Sequence, residues 1–332
     1  MFNAEYLSLI YAGLMALAVL VYAILDGYDL GVGMLIPLDD RETADTMIAS
    51  IGPFWDANET WLVLAVGLAF IAFPQAHSMI LQALYLPVVF LLFGLIMRGV
   101  AFDFRAKARV KRQRRWDKVF KFGSLLTGFA QGYMLGLYVL GFENTLVAHA
   151  FALFSGIGVV CAYGLIGSAW LIMKCEGQLQ QSAIAWCRRF AWVALLGVLL
   201  VSVINPLINE QIYARWFDLP LALVVLPAPI ICVALFVILE LVLQKLPKAP
   251  QTGAWLPFMI SAFIFLLCFF GLVYSFYPYV VPGKLTIFEA VADPSALTFL
   301  LYGVVVVVPT LIAYTVFSYR VFWGKVEPLS YY

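Results

Sequence analysis

The chain has 332 residues, of which 64% are hydrophobic and 12% are charged, and its mean hydropathy is +0.97. Soluble globular domains carry about 25% charged and about 45–50% apolar residues. This composition therefore excludes an ordinary soluble protein and indicates a polytopic integral membrane protein. The formal net charge of +1 at pH 7 gives no sign of a nucleic-acid partner. The only two histidines, His77 and His149, are too few for a chain that binds several haems or a multi-histidine metal centre by itself.

The apolar runs predict nine membrane-spanning helices in a single polytopic domain, residues 1–332. A helix needs about 20 mostly apolar residues to cross a bilayer. The runs are long and lack the alternation of a barrel strand, which favours helices. The predicted spans cover residues 6–36, 57–74, 79–103, 120–140, 147–173, 188–206, 221–244, 255–278 and 297–323.

Lys and Arg residues accumulate in alternate connections between these spans. The connection after the third span, "FRAKARVKRQRRWDKVFK", is the most basic, whereas the opposite set of connections contains only Arg215 and Lys284. Because cytoplasmic loops of membrane proteins carry the excess of basic residues, the N-terminus is predicted outside and the C-terminus in the cytoplasm. The connections are short and leave no room for a soluble catalytic domain.

The first span carries two acids near its predicted cytoplasmic end. Asp26 lies about 30 Å along the helix at ~1.5 Å per residue, and Asp29 follows one turn later on the same face. Between and beside them, Gly27 and Gly31 form a G-x-x-x-G pattern, which lets another helix backbone approach closely. We therefore expect a tight helix contact at the level of the two acids.

The second and third spans bring further charges to the same depth. The second span opens with Trp55, Asp56 and Glu59, and its two acids again stand at i, i+3. The third span descends from outside and reaches Arg98, with Asp103 at the predicted cytoplasmic border. Together with the two aspartates of the first span, these side chains predict one polar cluster on the cytoplasmic side.

Two interpretations of this cluster remain open on the residues alone. In the first, Arg98 and the carboxylates tie helices together, and Asp56 caps the second helix through the free N–H groups of its first turn. In the second, intramembrane acids at one mouth mark the place where an ion or a proton enters. The outer half carries little beyond Glu143 and His149, so a proton path would have to end in another chain.

Three motifs in this order resemble a known family. "LDGYDLGVGML" in the first span, "FWDANETWL" at the start of the second and "RGVAFDFR" at the end of the third resemble subunit II of the bacterial cytochrome bd quinol oxidases. The resemblance covers essentially the whole chain and is strongest over residues 6–105. The "NETW" tetrad and the short outer loops look like the branch often called cyanide-insensitive, a label that describes the partner subunit's haem site.

The resemblance implies an all-α membrane protein with two four-helix bundles and one peripheral helix, in the bacterial inner membrane. It implies a partner, subunit I, that holds the haems (b and d, or b only) and the quinol site, while subunit II binds no haem or metal. Subunit II is needed for assembly and supplies a cytoplasmic proton route, with Asp56 where protons enter and Trp55 beside it.

Other partners follow from the same resemblance. In some members a quinone or a lipid occupies a groove of subunit II in a structural role, and a small accessory membrane subunit is a further candidate.

The rival function is a secondary transporter whose carboxylates bind a coupling cation or proton. Transporters hold such sites near the midplane in broken helices of paired repeats, whereas these acids lie at one end. A purely structural scaffold is the third alternative.

Overall fold

The computed structural model describes residues 3–208, 210–217, 222–248 and 252–326, and nearly all of this chain is helical. The α-helices are α1 (Ala4–Leu35), α2 (Arg41–Ile51), α3 (Trp55–Ala72), α4 (Pro74–Ala83), α5 (Tyr85–Lys107), α6 (Val110–Val139), α7 (Leu146–Lys174), α8 (Gly177–Ile208), α9 (Glu210–Phe217), α10 (Ala222–Val225), α11 (Pro227–Lys245), α12 (Leu256–Phe276), α13 (Ile287–Ala290) and α14 (Pro294–Val321). A 3₁₀ turn covers Leu246–Lys248, and two short strands, β1 (Tyr279–Val281) and β2 (Leu285–Thr286), form an antiparallel hairpin.

Seven of the described helices are long and apolar enough to cross a membrane: α1, α5, α7, α8, α11, α12 and α14. The helices α2 and α3 meet at an angle of 49° and make an eighth candidate if they are counted as one broken span. The predicted span 120–140 falls within α6, whose first half is rich in Lys and Arg and which is not among the seven. The all-helical membrane class is confirmed, with seven or eight candidate spans.

The predicted third span, 79–103, is divided between two helices. A separate helix, α4, covers its first residues, and α5 begins only at Tyr85. Two prolines explain the breaks. Pro74 occupies the first turn of α4, and Pro87 the first turn of α5, and these are positions where a helix N–H has no intrahelical partner and proline is tolerated.

Helix α1 lies at the centre of the packing and contacts α3, α6, α7 and α12. Gly27 and Gly31 of this helix face α7. A Cβ atom at Gly31 would lie 1.9 Å from the carbonyl oxygen of Tyr163 and 2.9 Å from the Cα atom of Gly167, and one at Gly27 would lie 2.7 Å from the Tyr163 ring. The backbones of α1 and α7 therefore touch directly, as small residues allow in membrane helices.

A large apolar core lies near the end of α1 that carries the aspartates, and Trp170 of α7 is at its middle. The indole stacks on the ring of Tyr28 with centroids 4.1 Å apart and meets the ring of Phe54 edge-on at 5.5 Å. Its N–H donates to the carbonyl oxygen of Ser50 at 3.2 Å. This contact fixes the α2–α3 connection against α7, and it therefore sets where α3 begins.

The opposite end of α1 is held by side-chain and backbone bonds. The Tyr11 hydroxyl donates to the carbonyl oxygen of Leu297 at the start of α14 (2.8 Å). Just before α14, Thr286 and Glu289 cap α13 reciprocally, an arrangement that satisfies two free N–H groups at a helix start. The hairpin and α13 thereby anchor α14 to α1 at this end.

Gly31 provides the first test of this packing. We expect Gly31→Leu to separate α1 from α7 and to destabilise the chain by at least ~1–3 kcal/mol, as overpacking does. The measurement is the yield of folded protein in the membrane together with its thermal midpoint. Gly13→Leu is the matched control, because a Cβ at Gly13 on the same helix meets nothing within 4 Å. Equal yields and midpoints for the two variants would contradict the close contact.

Candidate functional site

A buried ion-pair cluster connects the first three membrane helices. Arg98 of α5 lies 2.6 Å from Asp26 of α1 and 3.0 Å from Glu59 of α3, measured from its Nη2 atom to a carboxylate oxygen of each. Arg98 and Asp26 are fully buried, and the Glu59 side chain is 27% exposed. The pairing of Arg98 predicted from depth is therefore present, and two carboxylates share one guanidinium.

The second aspartate of α1 belongs to an adjoining hydrogen-bond network centred on Asn58. The Asn58 amide donates to Asp29 Oδ2 at 2.7 Å and to the Tyr28 hydroxyl at 3.1 Å. The hydroxyls of Tyr28 and Tyr319 are 2.6 Å apart, and the Tyr319 hydroxyl donates to Asn58 Oδ1 at 3.3 Å. Asp29, Asn58 and Tyr28 are buried, so this network extends the polar interior from α1 and α3 to α14.

A second branch leads away from Asp26 into the interior between α1, α6 and α7. Tyr22 lies one turn before Asp26 on the same face of α1. The Gln131 amide donates to the Tyr22 hydroxyl at 2.6 Å, and the Tyr163 hydroxyl donates to Gln131 Oε1 at 2.5 Å. Hydrogen bonds therefore connect Tyr22 of α1 to α6 and α7, beside the Gly27 contact and one turn from the ion-pair cluster.

Asp56 lies outside the ion-pair cluster, at the solvent-accessible start of α3. Its side chain is exposed and stands one helical turn before Glu59. Trp55 is half-buried, and the Arg98 guanidinium carbon lies 5.7 Å from the centroid of its ring. Trp55 and Glu59 therefore lie between the exposed carboxylate and the buried pair.

The structure corrects the capping interpretation of Asp56. Helix α3 begins at Trp55, its N-cap position is Phe54, and within the described chain no side chain caps it by a hydrogen bond. Asp56 is the second residue of the helix, where its charge can favour the positive end of the helix dipole but where it does not serve as the cap.

One further expectation also changes. Asp103, which the depth argument places in the cluster, is exposed, and the contacts of the described residues include no ion pair or hydrogen bond for its carboxylate. Trp61 of α3 lies in the protein interior. It is 2% exposed and packs against Ala18, Tyr22 and Ala65 inside the protein.

A separate charged cluster, which we did not predict, ties α2, α5 and α6 together. Arg105 is 2% exposed, pairs with Asp45 at 2.7 Å and forms a second ion pair with Asp117. Burial raises the pKa of Asp117, which precedes the predicted span in α6, and Arg105 opposes that rise. The ion pairs of Arg105 with Asp45 and Asp117 hold α2, α5 and α6 together.

The two histidines lie apart from these clusters. His149 bonds to the Tyr133 hydroxyl at 2.7 Å and to Asn144 Oδ1 at 2.9 Å, and the ring of His77 meets Phe70 edge-on. Over the described ranges, no group of three or more His, Cys, Asp or Glu side chains is arranged to hold a metal ion.

Sequence reasoning missed most of the network around Asn58. Tyr28 lies within the motif "LDGYDLGVGML" and Asn58 within "FWDANETWL". Their polar side chains, at the same depth as the acids, could have marked them as members of the cluster. Tyr319 comes 261 residues after Asn58, and a tyrosine near a helix end is an ordinary interfacial residue. Gln131 is a polar residue within a predicted span, which marks it for attention, but its partners depend on the fold.

Comparisons with known proteins place this geometry in a family. The family profile described as cytochrome bd terminal oxidase subunit II matches residues 7–322. Cytochrome bd ubiquinol oxidase subunit 2 of Bacillus subtilis (strain 168) is 27% identical over 342 residues, covering 96% of this chain and 97% of the relative. Cytochrome bd-I ubiquinol oxidase subunit 2 of Escherichia coli (strain K12) is 27% identical over 375 residues, with 98% and 97% covered.

The fold is also found in a solved structure. A chain of the bd oxidase from Geobacillus thermodenitrificans superposes with a TM-score of 0.76 at 20% identity, covering 96% of this chain and 99% of that one. At 20% identity this similarity shows only that the two chains share a fold. The family profile, which spans the three motifs and the residues of the buried cluster, shows that the chain belongs to the cytochrome bd terminal oxidase subunit II family.

Proposed function

We propose that this chain is the haem-free subunit of a membrane oxidase that transfers electrons from quinol to dioxygen, and that it delivers protons to the reaction. Reduction of dioxygen to water consumes protons as well as electrons. The haems, b and d or b only, and the quinol site belong to the partner, subunit I. The observation that carries the proton-delivery role is the buried Asp26–Arg98–Glu59 cluster, which adjoins an exposed carboxylate at the start of α3.

The proton route follows the change in exposure along α3 and α1. Asp56 is exposed, Glu59 is 27% exposed and Asp26 is fully buried. A carboxylate in contact with solvent can take up a proton, and groups within one helical turn can pass it inward directly or through water. Asp56 with Trp55 is thus the point of uptake, Glu59 the next acceptor, and Asp26, Asp29 and Arg98 the supporting cluster.

Asp103 is a more peripheral member of the same proposal. It is exposed, like Asp56, on a helix that also carries Arg98. Its carboxylate can add negative potential at the mouth, which raises the local concentration of cations, protons included. The proposal gives Asp103 no place in the buried part of the route.

The arrangement of helices supports the proposed architecture of two four-helix bundles and a peripheral helix. In the first group α1 packs against α3 and α6, and α5 packs against α6; in the second, α7, α8, α11 and α12 form a closed ring of neighbours. The α1–α7 and α6–α7 contacts join the two groups. Helix α14 touches mainly α1 and α3 and exposes a long apolar face, as expected of the ninth, peripheral span.

The membrane orientation is proposed from charge. Basic side chains concentrate at the α5–α6 connection, and the N-terminus of α1 is at the opposite end of that helix from the acids. The positive-inside rule then puts the acidic mouth in the cytoplasm of the bacterial inner membrane and the N-terminus outside. A quinone or lipid in a groove and a small accessory subunit remain further proposed partners.

The secondary-transporter alternative gains no support from the comparisons, all of which name oxidase subunits. The scaffold alternative differs from proton delivery in one respect only, which is whether the acids must carry exchangeable protons. Variants that remove one carboxylate or one buried charge distinguish the scaffold role from proton delivery.

Asp56→Asn tests proton uptake. The substitution keeps the size of the side chain and removes its exchangeable proton. We expect the complex to assemble with normal haem content and quinol-driven oxygen uptake to fall strongly. Glu42→Gln is the control, because Glu42 is also an exposed carboxylate in the first turn of a helix, α2. An assembled Asp56→Asn complex with full activity would leave Asp56 only its electrostatic effect on α3.

Arg98→Met tests the role of the ion pair in assembly. Removing the guanidinium leaves Asp26 and Glu59 without their cation, and breaking a buried pair costs about 3–5 kcal/mol. We expect a clear drop in thermal midpoint and in yield, partly restored by adding Asp26→Asn. Arg112→Met, at an exposed arginine, should change neither quantity. If Arg98→Met is as stable as the control, the cluster does not hold the helices.

Expression of this chain without its partner tests the assignment of the haems. We expect the purified chain to show no haem absorbance and no oxygen consumption, whereas the complex shows both. The motivation is that the chain has only two histidines, and that they lie on different helices, α4 and α7. Stoichiometric haem on the isolated chain would overturn the haem-free role.

A further inference from the structure

Two adjoining cavities lie where α5, α7 and α14 end. Their volumes are about 590 Å³ and about 170 Å³. The larger one has the size of an ordinary small-molecule site. It is lined by three cationic side chains, Arg105, Lys174 and Lys325.

Lys174 is the most informative of the three. It is 6% exposed, and its ammonium donates to the carbonyl oxygens of Phe322 (2.7 Å) and Gly324 (2.8 Å). It also lies 5.7 Å and 5.5 Å from the centroids of the Phe54 and Trp170 rings. The ion pairs of the described chain include no carboxylate for Lys174. An ammonium has three N–H donors, so one remains for a ligand.

The other two cations differ in how far their charge is balanced. Arg105 has Asp45 and Asp117 as partners and is neutralised within the protein. The Lys325 ammonium donates to the carbonyl oxygen of Cys175 at 3.0 Å, with Glu176 nearby. Lys174 therefore leaves an excess positive charge in the cavity wall. Burying a charge without a partner is costly, which favours an anion in this cavity.

The rim of the cavity indicates what kind of anion. Phe322 and Trp323 are 49% and 78% exposed. Phe317 and Val321, in the last turns of α14, extend this exposed apolar strip along the helix. Exposed aromatic side chains at helix ends are typical of the membrane–water interface. A ligand that meets both features is anionic at one end and apolar at the other.

We propose that this cavity binds an anionic phospholipid, with its phosphate contacting Lys174 and Lys325 and an acyl chain lying along the exposed face of α14. Basic pockets between membrane helices bind anionic headgroups in this way. Inorganic phosphate shares the chemistry of the charged end, but it leaves the apolar strip unused, so the proposal is the lipid. The site does not depend on the proposed proton route.

The test compares three probes on the delipidated protein, purified with the subunits that accompany it. These are dioleoyl phosphatidylglycerol, dioleoyl phosphatidylcholine and inorganic phosphate, and native mass spectrometry counts bound molecules. We expect phosphatidylglycerol to be retained in preference to phosphatidylcholine, and inorganic phosphate not to displace it. Equal retention of the two lipids, or displacement by millimolar phosphate, would overturn the proposal.

Variants locate the binding. Lys174→Met should lower the apparent affinity for phosphatidylglycerol about tenfold or more, as expected for the loss of a hydrogen bond to a charged group. Lys118→Met, at an exposed lysine of α6, should leave it unchanged. A chain ending at Val326 tests whether residues 327–332, which lie outside the described ranges, occupy the cavity. Unchanged lipid binding by this variant is expected, and a large gain would assign the cavity to that segment instead.

A measurement on the unmodified chain covers the case in which Lys174→Met fails to fold. Phosphatidylglycerol with a photoactivatable diazirine on its acyl chain is added, and the labelled peptides are identified by mass spectrometry. We expect labelling to concentrate on residues 317–326, above that obtained with the matched diazirine phosphatidylcholine. Indistinguishable labelling by the two lipids would contradict a specific site.

Discussion

The structure depends on one buried charge. Arg98 is fully buried in a chain that spans a membrane, and its guanidinium is balanced by Asp26 and Glu59. Placing a charge at such depth is expensive unless it is paired, so α1, α3 and α5 are positioned where the three side chains meet. A buried pair adds little stability compared with apolar packing, but losing one partner is costly. The cluster therefore specifies the position of these helices more than it strengthens their association.

Close backbone packing makes the buried cluster possible. Gly31 and Gly167 bring α1 and α7 into direct contact, and this contact places Tyr163 beside the polar face of α1. From there the hydrogen-bonded residues Tyr163, Gln131 and Tyr22 lead to the turn of α1 that precedes Asp26. Because interhelical hydrogen bonds in membranes act over short distances, polar side chains can connect three helices only where small residues allow the approach.

Features that depend on residues close in sequence could be predicted from the sequence, whereas features that depend on distant residues could not. Helix length and depth are local, so the level of Asp26 and Arg98 and the glycine pattern were predictable from spacing. The start of α3 at Trp55, with Phe54 as N-cap, depends on the contact of Trp170 with Ser50, 120 residues away. The same holds for Tyr319 at Asn58 and for the outward direction of Asp103, since side-chain direction at a helix end is set by tertiary neighbours.

The corrected position of Asp56 distinguishes two roles of a carboxylate, which are to hold helices together and to carry a proton. Among the acids around the start of α3, Asp26 and Glu59 pair with Arg98, and Asp29 bonds to Asn58. Asp56 has neither partner and is not the cap of its helix. Replacing Asp56 therefore removes a carboxylate without breaking a contact that holds helices, whereas Glu59 both pairs with Arg98 and is the next acceptor of the proposed route. Within a single helical turn of α3, exposure thus falls from a carboxylate that only the proton route requires to one that the packing requires as well.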